Sequence, residues 1–197
     1  MPYVLFEGMD LSGKSSTVAK IQEINKIWTY QHLVLNQANP IYTLAKQVNK
    51  QGIYSTEVCG ITYAAAIRAD LELFQWPSMP TLQDSCNLLR SLAHHSALGN
   101  TAVVNYLVEI SSEHPIFSKA YVFTASIEER RKRLAKRMSE NPGCVSKSDT
   151  LIINNPELFE AMNEAIIKYA KEFFNAQIID TTYVDQNTVV NQITSQI

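Results

Sequence analysis

The sequence predicts one α/β domain in which a parallel sheet of five strands is covered by helices on both faces. Five short β-favouring runs alternate with helix-compatible stretches, and the first run leads through a glycine-rich turn into a helix. The breaks between these runs are too short for interdomain linkers, and 197 residues suit one continuous core. We therefore assign residues 1–197 to a single domain.

The predicted strands are all short and follow one another through helices, which favours parallel pairing with right-handed crossovers. They cover residues 3–7, 32–36, 81–84, 120–124 and 177–180. Turn residues such as Pro40, Gly99 and the Pro142-Gly143 pair separate the helical stretches between them.

The segment between the first strand and the first helix fits the pattern G-x-x-x-x-G-K-[ST], from Gly8 to Ser15. Glycines let backbone N–H groups approach phosphate oxygens, and the N-terminus of the helix adds unpaired donors. In such a loop Lys14 supplies positive charge to the β- and γ-phosphates, and Ser15 offers its hydroxyl to Mg²⁺. The expected ATP-binding residues are Gly8, Asp10, Ser12, Gly13, Lys14, Ser15 and Ser16.

Composition argues against several classes of partner. The formal net charge is −2, which gives no positive field for a nucleic-acid polymer or an anionic membrane. The cysteines, Cys59, Cys86 and Cys144, are odd in number and widely spaced, which is typical of free thiols in a reducing compartment. No apolar run is long enough to span a bilayer. We therefore expect a cytoplasmic protein that acts on small molecules.

A basic helix is predicted from residue 126, in which Arg130, Arg133 and Arg137 share one face. A polar stretch at residues 139–149 follows, and then a long amphipathic helix. Beside a phosphate loop, this arrangement predicts a short lid whose guanidinium groups close over the transferred phosphoryl group. The alternative is a solvated basic helix face.

The run F-E-G-x-D-x-x-G-K-[ST] at residues 6–15 resembles the phosphate loop of thymidylate kinases and related deoxynucleoside kinases. A second similarity is the A-A-x-R segment that ends at Arg68, by which that family holds the acceptor base. The family's aromatic residue four positions before the arginine is Ala64 here, with Tyr63 beside it. Asp84 matches the aspartate of the family's Asp-Arg pair.

The acceptor side departs from the family. Ser85 stands where the family has the arginine that grips the phosphate of a monophosphate acceptor, and Asn39-Pro40 stands where it has Glu-Pro. Arg90, six residues after Asp84, is a candidate replacement for the missing guanidinium.

The resemblance implies a single P-loop kinase domain with a lid, an ATP phosphoryl donor, Mg²⁺ and a homodimer. It implies catalytic roles for Lys14, Asp84, Arg133 and Arg137, with Ser15 and Asp84 at the metal. The acceptor-binding residues would be Asp10, Tyr63, Arg68, Ser85 and Arg90.

The altered acceptor side predicts a nucleoside monophosphate or related acceptor other than thymidylate. Two alternatives stay open. One is a kinase of a neutral hydroxyl compound, a nucleoside or a specialised metabolite, with Asp84 or Asp10 as the base. The other is a nucleotide-binding regulator that performs no chemistry.

Overall fold

The computed structural model describes residues 1–32, 39–146 and 148–197. Its strands are β1 (Tyr3–Glu7), β2 (Thr29–His32), β3 (Thr81–Asp84), β4 (Lys119–Thr124) and β5 (Gln177–Asp180). Within the described residues these five strands form one all-parallel sheet in the order β2-β3-β1-β4-β5. The predicted α/β class is confirmed.

Helices connect the strands and cover the sheet. They are α1 (Lys14–Ile24), α2 (Pro40–Gln51), α3 (Thr56–Glu72), α4 (Asn87–Ala97), α5 (Thr101–Ser111), α6 (Ile127–Glu140), α7 (Leu151–Asn154), α8 (Pro156–Phe174) and α9 (Gln186–Thr194). Side chains cap several of the N-termini: Asn39 caps α2, Ser126 caps α6 and Asp185 caps α9. None of the helices within the described ranges is long and apolar enough to cross a membrane.

Three predicted strands, at 3–7, 81–84 and 177–180, have the observed bounds, and the fourth begins one residue earlier, at Lys119. The second strand was predicted to start at His32, and its observed start lies three residues earlier. The observed β2 begins at Thr29 because its ladder with β3 starts there, with Thr29 opposite Thr81. Residues 33–36 lie outside the described residues.

The central strand β1 is buried on both faces, which is why it reads as a continuous apolar run. Tyr3 and Leu5 face a core formed with α3, α4, α5 and α8, whereas Val4 and Phe6 face a second core formed with α1 and α9. The helices on each face thus fix the sheet between two apolar layers.

The carboxyl ends of the parallel strands meet at one edge of the sheet, where ligands bind in open α/β folds. Glu7 ends β1 and Asp84 ends the neighbouring β3, and both carboxylates are fully buried. Thr124 and Asp180 end β4 and β5 on the other side. The phosphate loop follows β1 and therefore lies at the centre of this edge.

Candidate active site

The phosphate loop lies between β1 and α1, and α1 begins at Lys14. Gly8 has φ +143°, and a Cβ at this position would lie 2.3 Å from the carbonyl oxygen of Phe123 in β4. Leu11 and Gly13 also have positive φ angles, of 64° and 84°. This backbone lines a small cavity of about 140 Å³, formed by residues 9–16 and Arg137, which we name the phosphate cavity after its predicted ligand. The loop thus has the shape and the helix N-terminus that bind phosphate groups.

Lys14 is buried and points toward β3. Its Nζ donates to a carboxylate oxygen of Asp84 and, over 2.9 Å, to the Ser85 hydroxyl. Tyr30 on β2 also contacts the Asp84 carboxylate, at 3.4 Å. A cation, a carboxylate and a hydroxyl therefore meet beside the phosphate loop.

Arg90 reaches the same point from α4. Its guanidinium donates to the Glu7 carboxylate over 2.9 Å, to the Gly8 carbonyl over 2.7 Å and to the Ser85 hydroxyl over 3.3 Å. Burial alone would lower the pKa of Arg90, but the carboxylates of Glu7 and Asp10 raise it above its ordinary value. Arg90 thus stays charged and lies beside Ser85, the position at which the family that the sequence resembles has an arginine.

A larger cavity of about 510 Å³ adjoins the phosphate loop on the side of α6 and α9. It shares Gly13, Ser16 and Arg137 with the phosphate cavity. Arg133 and Val184 form other parts of its wall. Its size and its position at the loop suit the base and ribose of a nucleotide whose phosphates occupy the loop.

A second large cavity, of about 430 Å³, lies between α2, α3 and α4. Its described lining is aromatic and mostly uncharged and comprises Tyr42, Asn49, Gly52, Tyr54, Thr56, Cys59, Gly60, Tyr63, Asn87, Arg90, Ser91, His94 and His95. We name it the acceptor cavity after its predicted role. Arg90 connects it to the Lys14–Asp84 pair through Ser85.

Two buried polar atoms in the described structure have no hydrogen-bond partner, Ser12 Oγ and Asn87 Nδ2. Ser12 lines the phosphate cavity, and Asn87 lines the acceptor cavity. Because a buried polar atom without a partner costs free energy, each atom is suited to bind a ligand.

The structure places the predicted acceptor residues in different surroundings. Tyr63 and Arg90 line the acceptor cavity, whereas Arg68 is paired with Glu72 and Glu113 and is not among the described residues that line it. Ser85 lies just below the cavity as a hydrogen-bond partner of Arg90.

The three arginines on the predicted basic face of α6 lie in three different environments. Arg137 reaches the phosphate cavity and pairs with Asp149 over 2.7 Å. Arg133 donates to the carbonyls of Leu11 and Thr181. Arg130 is buried and contacts the loop from below. Of the three, Arg137 is the one placed at the phosphate cavity.

The predicted lid segment, 139–149, is anchored at its end. Asp149 is buried and accepts from Arg137 and from the Ser146 backbone N–H and hydroxyl. A 3-10 turn at Pro142–Cys144 precedes this anchor. The described part of the segment therefore leads from α6 to α7 and is held to α6 by the Arg137–Asp149 ion pair.

The two histidines of α4 are held neutral at ordinary pH. Burial lowers the pKa of His94, and burial together with the neighbouring His94 lowers the pKa of His95 to about 4. His95 Nδ1 bonds to the Asn100 amide over 3.0 Å. Burial also raises the pKa of the Cys86 thiol to about 12, so Cys86 is not suited to act as a nucleophile. None of the three side chains, His94, His95 and Cys86, suits acid–base chemistry at neutral pH.

We expect the free energy of unfolding to decrease by about 2 kcal/mol between about pH 7.5 and pH 5, because unfolded His95 binds a proton near its ordinary pKa and folded His95 does not. Denaturant titrations at these pH values measure the change. His95→Gln should flatten the dependence. An equal slope in the variant would contradict the assignment.

No protein-family model and no curated protein sequence matches the chain. Solved structures do match it over nearly its whole length. Thymidylate kinase from Candida albicans covers 98% of this chain and 90% of its own, with a TM-score of 0.69 and 14% identity. Deoxyadenosine kinase from M. mycoides covers 98% of this chain and 97% of its own, with a TM-score of 0.58 and 15% identity. Thymidylate kinase from Ehrlichia chaffeensis covers 98% of this chain and 96% of its own, with a TM-score of 0.59 and 11% identity.

The chain has a thymidylate kinase-like nucleoside monophosphate kinase fold. Within this thymidylate kinase-like fold, sequence reasoning missed several residues of the site. Tyr42, Tyr54 and Asn87 line the acceptor cavity, but none belongs to a recognisable motif. Thr181, which contacts the loop, directly follows the last strand at the carboxyl edge of the sheet.

Proposed function

We propose that the protein is an ATP-dependent phosphotransferase that transfers the γ-phosphoryl group to a nucleoside monophosphate or related acceptor other than thymidylate. The observation that carries the proposal is the Lys14–Asp84 pair, which lies at the phosphate loop and, through Ser85 and Arg90, borders the acceptor cavity. Phosphoryl transfer requires this placement, because donor and acceptor must meet in line at one charged centre.

On the donor side, the nucleotide base would occupy the 510 Å³ cavity and the phosphates would lie against the loop N–H groups. Lys14 would leave Asp84 for the β- and γ-phosphates, and Arg137 would add positive charge from α6.

The residues present fit Mg²⁺. The ion takes few protein ligands when phosphate oxygens and waters complete its octahedron. The hydroxyl of Ser15 lies in the wall of the phosphate cavity, and the carboxylate of Asp84 lies beside Lys14. These two groups would hold the ion, which when bound neutralises charge on the phosphates.

On the acceptor side, Tyr63 and Tyr42 offer aromatic surfaces to a planar group, and Asn87 Nδ2 offers a donor. Arg90 would contact the acceptor near the transferred group, in place of an arginine at position 85. Thymidylate is expected to be a poor acceptor, because Arg90 enters from α4 and is held by Glu7. Its guanidinium therefore approaches from a different direction.

A second candidate is a kinase of a neutral hydroxyl compound such as a nucleoside. It is favoured by the charge balance of the acceptor cavity, where Arg90 is the one cation in the described lining and the buried Glu7 already offsets it. A dianionic acceptor would receive little net attraction from such a pair. In this case Asp84 would accept the hydroxyl proton.

The two candidates are distinguished by kcat/KM for nucleosides and their monophosphates, measured in the native protein and in Arg90→Lys. A monophosphate held by both arms of the guanidinium should lose about tenfold or more in the variant, whereas a neutral nucleoside should change little. Arg131→Lys, at an exposed position of α6, is the control. Equal kcat/KM for monophosphates in the native protein and Arg90→Lys would contradict the role of Arg90.

A homodimer and a cytoplasmic location remain proposals that rest on the family resemblance and on the composition. Light scattering of the purified protein measures the oligomeric state, and fractionation of expressing cells measures the location.

A further inference from the structure

Three consecutive carbonyl oxygens of the phosphate loop accept hydrogen bonds from side chains outside it. Arg130 donates to Asp10 O over 2.7 Å, Arg133 donates to Leu11 O over 2.9 Å, and the Thr181 hydroxyl donates to Ser12 O over 2.8 Å. Because the peptide unit is planar, carbonyls held on one side of the loop turn the adjacent N–H groups toward the other.

Arg130 is the more deeply buried of the two arginine donors. It is 1% exposed and also donates to the Ala125 carbonyl, the Thr124 hydroxyl and the Asn163 side-chain oxygen. Its guanidinium lies 5.1 Å from the centre of the Phe159 ring. All of its donor contacts go to neutral oxygens.

Among the residues that the structure describes, no carboxylate lies within ion-pair distance of Arg130. Burial lowers the pKa of Arg130 to about 10, and the carboxylates of Glu160, Asp10 and Asp180 oppose part of that shift from beyond ion-pair distance, so Arg130 remains charged at neutral pH. A buried cation with no carboxylate in direct contact is only partly neutralised, so its charge can stabilise an anion bound at the loop. Polyphosphate at the loop would be that anion.

We propose that Arg130 is a positioning residue that holds the phosphate loop in its anion-binding shape and contributes positive charge beneath the bound phosphates. The inference rests on the proposed function only in requiring a polyphosphate at the loop, and it is independent of the acceptor. Asn163 lies on α8, so Arg130 also links α8 to the phosphate loop through hydrogen bonds.

The decisive variant is Asn163→Asp. It keeps an oxygen 2.9 Å from Arg130 Nη2 but makes it anionic, so the charge of Arg130 is neutralised while its contacts remain. A role limited to packing predicts unchanged or increased stability and unchanged binding. A role in anion binding predicts weaker binding in a protein that is no less stable.

The experiment measures the dissociation constants of ATP·Mg²⁺, inorganic tripolyphosphate·Mg²⁺ and adenosine by calorimetry. We expect Asn163→Asp and Arg130→Gln to weaken ATP and tripolyphosphate about tenfold and to leave adenosine unchanged. Arg130→Lys should recover part of the loss, since it keeps the charge but loses the planar fork. Arg131→Gln removes the same charge from the next, exposed position and is the control.

Native affinity for tripolyphosphate in folded Asn163→Asp would overturn the charge role of Arg130, even if Arg130→Gln fails to fold. An equal loss for adenosine would also overturn it, because the effect would then be on packing in general. If the native protein binds neither ATP nor tripolyphosphate, the proposed function itself is wrong and this inference is wrong with it. The two failures therefore give different results.

Discussion

Replacing Lys14 with alanine should lower kcat by about 100-fold to 1,000-fold, because the ammonium group would stabilise charge that develops on the transferred phosphoryl group. The effect should fall mainly on kcat, since the loop N–H groups still bind the ground-state phosphates. Steady-state kinetics with ATP and the preferred acceptor measure the change. Lys20→Ala, on the exposed side of the same helix, should retain activity.

Lys14→Ala should also lower the stability of the fold. Lys14 is ion-paired with a fully buried carboxylate, and removing one partner of a buried pair costs about 3–5 kcal/mol. The double variant Lys14→Met/Asp84→Asn removes both charges and should recover much of the stability without recovering activity. A Lys14→Ala protein with native kcat would contradict the role of the lysine.

Gly8→Ala should destabilise the protein by about 3 kcal/mol or more and abolish nucleotide binding. The alanine Cβ would meet the Phe123 carbonyl at 2.3 Å, on a backbone with φ +143° that side chains rarely adopt. The obstructing atom belongs to the β4 backbone and cannot move without disrupting the sheet. Chemical denaturation and calorimetry with ATP·Mg²⁺ measure both effects.

Gly52 and Gly99 provide matched controls for this substitution. Both have positive φ, of 67° and 71°, but a Cβ at either position would have no neighbour within 4 Å. Alanine there should cost about 1 kcal/mol from backbone strain alone. If Gly8→Ala were no more destabilising than these two variants, the close approach of the loop to β4 would be wrong.

The fold was predictable because its signals are local. The strand at 3–7 reads as an apolar run in a sheet buried on both faces, and the loop from Gly8 to Ser15 carries a spaced motif. The start of the second strand was missed because Thr29 and Gln31 are polar and the ladder with β3 sets where the strand begins. Register with a neighbouring strand is not encoded in a single run.

The site was less predictable because side-chain direction depends on tertiary packing. Arg130, Arg133 and Arg137 share a helix face. In the structure, however, Arg130 is buried, Arg133 donates to the Leu11 carbonyl, and Arg137 lines the phosphate cavity. Helix periodicity places residues on a face but does not say how deep each side chain lies. Likewise Arg68 fits a family segment but is paired with Glu113, which lies just after α5, a contact between residues 45 positions apart.

The central claim is tested most directly by incubating the native protein with γ-labelled ATP, Mg²⁺ and separate nucleosides, nucleoside monophosphates and other hydroxyl compounds, and by following the label. The account predicts transfer to at least one nucleoside-like acceptor other than thymidylate, and loss of that transfer in Lys14→Met/Asp84→Asn. ATP binding without transfer to any acceptor would contradict phosphotransferase activity and favour a nucleotide-binding regulator. Absence of ATP binding would contradict the donor site as well.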